Sequence, residues 1–355
     1  MKAAGFILIA FCLPILALGQ AAAPASSPKI LPKPDFILHY GGQKEEGPGL
    51  VLGPMKTENG TTTGSFAVYG GPSLAQVTGL SFSGDGKLLA VGSTPGLVDL
   101  WDVEKRMKLR SLKAGTPLAL TLDGRVLATT GNGLELWDVA SGKLWRTIKW
   151  TGGTVKQLSF DNSGTRLLVS ANGEGDAVFD VAAGQRLATL NAAQGAQFSR
   201  DGSLVIGSNT KHLAVWNTMD WRQVRDLPNG PDYVTKFAAY PEKDLVLIGG
   251  SKSARLLRLS SGEEIAKVGL GYTNFVAFDQ NDSLIFTYPS GGFAIWDIAG
   301  KQLCGAPDLG NGTVALSAND AWLAAAPVGG GTDVMLWSVQ SILRACGLPL
   351  TKSAQ

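Results

Sequence analysis

The phrase GLELWDVASGK, Gly133 to Lys143, is nearly repeated along the chain. GLVDLWDVEK ends at Lys105, DAVFDVAAG at Gly184 and FAIWDIAGK at Lys301, and HLAVWNTMD from His212 and DVMLWSVQS from Asp333 are fainter copies. Aligned on the aromatic, the copies are anchored at Trp101, Trp137, Phe179, Trp216, Leu257, Trp296 and Trp337, with Leu257 placed by its neighbours LLRLSSGEE. The successive spacings are 36, 42, 37, 41, 39 and 41 residues. An enzyme needs one active site, so a phrase copied at a nearly constant period reads as structural. A repeat of about 40 residues fits the four-stranded blade of a propeller.

Each unit has the same internal order. An alternating apolar stretch comes first, as in VTGLSF from Val77, VKQLSF from Val155 and FVAFD from Phe275; alternation of period two marks a strand with one buried face. A turn follows (SGDGK from Ser83, LDGR from Leu122, DNSGT from Asp161, RDGS from Arg200), in which Asp and Asn bond their own backbone and Gly supplies positive φ. A more continuous apolar strand (LLAVGS, VLATTG, LVIGS, LVLIGG), the aromatic phrase and an outgoing strand such as KLWRTIKW complete the unit.

On these residues the chain resembles the WD-repeat β-propellers. Trp101-Asp102, Trp137-Asp138 and Trp296-Asp297 match the family's dipeptide at the end of the third strand; Phe179-Asp180, Trp216-Asn217 and Trp337-Ser338 are degenerate matches. The resemblance covers roughly residues 64–348. It implies an all-β fold, a seven-bladed propeller of four-stranded antiparallel blades, whose anchor aromatics fill the wedge between blades and whose Asp starts a turn. The family's Gly-His dipeptide is missing: the chain has only His39 and His212, and neither precedes a first strand. The usual network joining that His to a Ser or Thr, an Asp and the Trp therefore cannot form in full, which leaves a divergent member or a relative of the bacterial YVTN-type propellers.

The ends divide the chain further. Residues 1–19 read as a signal peptide, with Lys2 as the positive region, an apolar run from Ala3 to Leu18 and small residues at the cleavage site. Residues 20–34 read as an Ala/Ser/Pro-rich linker, 35–63 as an N-terminal arm whose FILHY is a further strand or a packed arm, 64–350 as the propeller and 351–355 as a tail. The chain is expected to be exported, to the periplasm or the cell exterior, with no later stretch long and apolar enough to span a membrane. Closure is expected from an N-terminal strand, Phe66 to Tyr69 by offset, added to the last blade. Export makes a disulfide between Cys304 and Cys346 chemically available, with two free thiols as the alternative; the bond requires the last segment to bend back toward blade six.

No catalytic constellation appears. The two histidines lack partner phrases, the turn carboxylates are spread around a rim rather than convergent, and no phosphate loop or metal-ligand spacing is present. The balance of 31 Lys and Arg against 29 Asp and Glu, without a basic block, gives no reason to expect nucleic-acid binding. The reading is a non-enzymatic scaffold without cofactor or metal, binding a protein partner through its loops, at Trp150-Thr151, Asp232-Tyr233 and Tyr272-Thr273-Asn274. These loops equally serve as blade caps. Two rivals are a glycan-binding propeller and a quinoprotein-type oxidoreductase, whose repeat phrase DVASGKLW from Asp138 resembles.

Overall fold

The alternating stretch VTGLSF forms the strand Val77–Phe82 and pairs with Leu88–Ser93, which pairs with Leu97–Asp102, which pairs with Met107–Lys113, all antiparallel. The turn between the first two strands closes on its own carboxylate: Asp85 accepts from the Ser83 hydroxyl at 2.6 Å and the Lys87 N–H at 3.0 Å. Asp123 and Asp201 do the same in the second and fourth repeats, with Gly124 and Gly202 both at φ +71°, where a side chain would be strained. The computed structural model describes residues 29–30, 32–39, 56–58, 61–63 and 76–350, apart from 174, 193–194, 209–211, 229–233, 282, 290–291, 306–311 and 327–332.

The same four-strand order recurs seven times, and the innermost strands neighbour one another in sequence until Thr313–Leu316 of blade seven meets Val77–Phe82 of blade one. The chain is an all-β, seven-bladed propeller. Its core consists of seven apolar clusters among the described residues, and each straddles two adjacent blades. The strand LLAVGS shows why second strands read as continuous apolar runs. Leu89 and Val91 pack toward blade seven while Ala90 packs toward blade two, so both faces are buried. Each anchor lies in the cluster shared with the preceding blade: Trp101 with Leu336 of blade seven, Phe179 with Leu136, Trp216 with Leu168, Trp337 with Phe286. The residue after the anchor starts a turn. Asp138 accepts from the Ser141 N–H at 2.7 Å, Asp180 from Ala183 at 2.6 Å, Asn217 from Met219 at 2.7 Å and Asp297 from Lys301 at 2.8 Å.

Closure corrects the offset argument. The outer strand of blade seven is Phe36–His39, paired antiparallel with Asp333–Ser338, so the ring draws on the segment read as an arm. Residues 66–69 lie outside the described residues. Phe36 and Leu38 enter the cluster between blades seven and one, while Ile37 faces outward at 42% exposure. Just before this strand, Pro32 accepts the Trp337 indole N–H at 3.0 Å, the Asp35 N–H bonds the Leu336 carbonyl at 2.8 Å, and Lys29–Ile30 adds a parallel fifth strand to blade six. A separate hairpin pairs Lys56–Glu58 with Thr61–Thr63.

The chain leaves blade seven through a helix, Val339–Cys346. Its apolar residues Val339, Ile342, Leu343 and Cys346 fall on one face, and all four are buried. Ser338 caps its start by accepting the Ser341 N–H at 3.1 Å, and Gly347 ends it at φ 65°. The helix supplies the bend that the sequence left open. It returns Cys346 to Cys304 in the last strand of blade six, with a Cα separation of 5.7 Å and a disulfide between them.

Two stability predictions follow from this closure. Leu38→Ala, at a 3% exposed position, costs about 2–5 kcal/mol in denaturant unfolding, whereas Ile37→Ala costs less than about 1 kcal/mol; equal losses would refute the register of the closing strand. Reduction of Cys304–Cys346, which closes a loop across a separation of 42 residues, lowers stability by about 2–4 kcal/mol. Thiol titration of the unfolded, unreduced protein lacking residues 1–19 finds no free thiol.

Candidate partner-binding site

The connections between blades and the starts of the innermost strands share one rim, because each connection feeds the next innermost strand. Blade four breaks the regularity there. Its innermost strand is only Ala196–Phe198, three residues, against Gly153–Phe160 in blade three and Val234–Tyr240 in blade five. Beside it lies a notch, a cavity of about 380 Å3 lined by Lys156, Gln157, Ser170, Asn172, Lys236 and Tyr272 among others. It adjoins the central channel, about 540 Å3, which shares Lys156, Gln157 and Lys236 with it.

Lys236 crosses the notch. Its ammonium donates to the Gln157 amide oxygen at 2.8 Å, linking the innermost strands of blades five and three. Part of the side chain stays open to the channel, but protein atoms enclose the amine, and loss of hydration holds its pKa below the usual lysine range. Behind the wall, Ser170 donates to the fully buried Asp176 at 3.0 Å and accepts the Ala196 N–H at 2.8 Å. Asp176 also accepts the Ala171 N–H at 3.2 Å. Burial dominates these bonds and raises its pKa to about 7.

The loop residues singled out in the sequence separate into groups. Tyr272 is 46% exposed and lines the notch. Thr151 is exposed. Trp150 is half-buried: its indole N–H bonds the Gly153 carbonyl at 2.7 Å and its ring packs edge-on against Phe179, so it caps the boundary of blades two and three. Thr273 is fully buried inside its strand and is unavailable to a partner. Asn274 lines the channel and donates to the Gly312 carbonyl at 3.0 Å. Asp232 and Tyr233 lie outside the described residues. Sequence reasoning missed Lys156, Gln157 and Lys236; the available signal was polar and charged residues inside the innermost-strand pattern, VKQLSF and VTKF.

Elsewhere the polar groups are engaged locally. Asp161 accepts from Arg166 at 2.8 Å, and His212 stands 3.5 Å from Asp226. Among the described residues no group of three or more His, Cys, Asp or Glu converges as a metal site, and no helix is long and apolar enough to cross a membrane. Part of the WD network survives without histidine: the Trp137 and Trp296 indoles donate to Thr129 and Thr287, each at 2.9 Å. The Trp101 indole N–H is buried without a partner.

Seven such blades, four of them carrying an aromatic-Asp phrase at the wedge, define a repeat propeller. The family model described as WD domain, G-beta repeat, matches residues 65–102. Pre-mRNA-processing factor 19 of Oryza sativa subsp. japonica is 31% identical over 119 residues, a match covering 31% of this chain and 23% of the rice protein's length. The chain is thus a seven-bladed β-propeller similar to the WD-repeat proteins, with the repeat model matched in its first blade.

Asp176 gives a pH prediction. Its folded pKa, about 7, lies above that of the unfolded chain, so the folded state holds the proton more tightly. The resulting stability is complete below about pH 4 and is lost as pH rises to about 7, with a slope of at most about 1.4 kcal/mol per pH unit. Asp176→Asn removes that slope in urea unfolding measured from pH 4 to 7. A variant that kept the wild-type slope would assign it to another group.

Proposed function

We propose that this propeller is an exported, non-enzymatic protein-interaction scaffold, and that its partner docks on the rim bearing the connections between blades. The observation that carries the reading is the notch over blade four, where exposed Tyr272 stands beside an open channel on a rigid frame. The turn carboxylates are committed to closing their own hairpins and do not converge on a reacting atom. An oxidising compartment accords with the Cys304–Cys346 bond, and the leader-like residues 1–19 support export. The rice relative's name places that protein in pre-mRNA processing; the leader and the limited extent of the match argue against carrying that role over.

The test is production with the native N-terminus in an exporting host. The protein recovered outside the cytoplasm begins at Gln20 by intact mass, and retention in the cytoplasm with residues 1–19 attached overturns the export. Cross-linking and affinity capture from the native host identify the partner, and Tyr272→Ala weakens its binding about tenfold. Dye-linked oxidation of alcohols or sugars with pyrroloquinoline quinone and calcium would instead establish the oxidoreductase alternative.

A further inference from the structure

The notch and the adjoining channel have a one-sided charge. Lys156 and Lys236 line both, and no Asp or Glu is among the described residues lining either. Lys236 has one hydrogen bond, to the neutral Gln157 oxygen, and no ion pair among the described residues. An enclosed ammonium without a counter-charge is costly, and it is more costly the less water reaches it. Field lines from two lysines in a low-dielectric passage also concentrate at its mouth. Such a site gains most from an anion that enters and completes the pair.

The Asn274 amide oxygen and the Ser159 hydroxyl are buried without a hydrogen-bond partner, and both residues line the channel. Both atoms are closed off by protein, so the accessible polar groups common to notch and channel are those of Lys156, Gln157 and Lys236. Among the described residues no arginine lines either cavity. The fork of N–H donors that usually holds a phosphate dianion is therefore lacking, whereas a single ammonium suits a monovalent carboxylate.

We propose that the notch over blade four is a carboxylate-binding site, in which Lys236, held by Gln157 and assisted at the rim by Lys156, receives an acidic side chain of an extended segment of the protein partner. That segment enters at the notch, whose mouth Tyr272 flanks. At this site blades three and five meet through the Lys236–Gln157 bond, beside the three-residue innermost strand of blade four.

This inference rests on the scaffold reading and deepens it. The test uses the full chain after removal of residues 1–19, with fluorescein-labelled hexaglutamate as the probe, hexalysine as the control and inorganic phosphate as competitor. Hexaglutamate binds at low ionic strength and hexalysine does not. Lys236→Met weakens hexaglutamate about tenfold or more, and Lys156→Gln weakens it by a smaller factor because that side chain is exposed. A second readout avoids mutation: hexaglutamate protects Lys236 of the unaltered protein from acetic anhydride, measured by peptide mass spectrometry. Lys236 acetylation at the same rate with and without saturating peptide, or unchanged affinity in Lys236→Met, overturns the site. Displacement by inorganic phosphate at concentrations where acetate has no effect overturns the carboxylate assignment. Capture of the native partner undiminished by Lys236→Met also overturns this inference, and leaves the scaffold reading standing.

Discussion

The contact between the apolar faces of neighbouring blades carries the rest of this structure. A twisted four-stranded sheet with both faces apolar cannot shield itself, and here every blade hides its faces on the blades before and after it. A large aromatic on the third strand fills the widening wedge, and each such side chain removes roughly 150–250 Å2 from water. The arrangement has no natural end, so an open ring would expose two apolar faces and an unpaired edge. The N-terminal strand Phe36–His39 and the helix Val339–Cys346 answer this at one place. They complete blade seven, tie it to blade six through Cys304–Cys346, and bring Pro32 against the Trp337 indole.

Interblade packing also explains how the fold tolerates the loss of the family's histidine. The indole of Trp137 finds Thr129, and that of Trp296 finds Thr287, without a histidine to extend the chain of bonds. In blade three the anchor is Phe179, which needs no donor partner, and Asp176 with Ser170 satisfies the backbone nearby. The Trp101 indole stays unpaired. One unmet hydrogen bond costs on the order of 1–3 kcal/mol, which is comparable with what the burial of a single large side chain returns. Each wedge buries several large side chains, so its apolar contacts together exceed the cost of one unmet bond.

The same frame accounts for the character of the candidate site. Strands fixed by packing on both sides hold side chains at the channel with little freedom, so Lys236 is kept enclosed and Gln157 within 2.8 Å of it. A flexible loop would let such a lysine swing to water. Rigid blades hold Lys236 against Gln157, with no acidic partner among the described residues.

The blade number, the anchors and the turns were legible in the sequence because each is fixed within one repeat. Trp137 and Asp138 report a wedge and a turn wherever the phrase occurs, and Asp-Gly hairpins close locally. Three features depended on what the folded ring brings together. Phe36–His39 rather than Phe66–Tyr69 completes blade seven, since two short apolar stretches offer similar strands and only the long-range partner distinguishes them. Cys304 and Cys346 meet because the last segment turns helical and doubles back, where offset from the other repeats gave only a last segment that had to bend back toward blade six. Lys236 and Gln157, 79 residues apart, meet across a blade whose innermost strand is cut to three residues. A local period determines what each unit becomes; which distant side chains face one another is decided only when the ring closes.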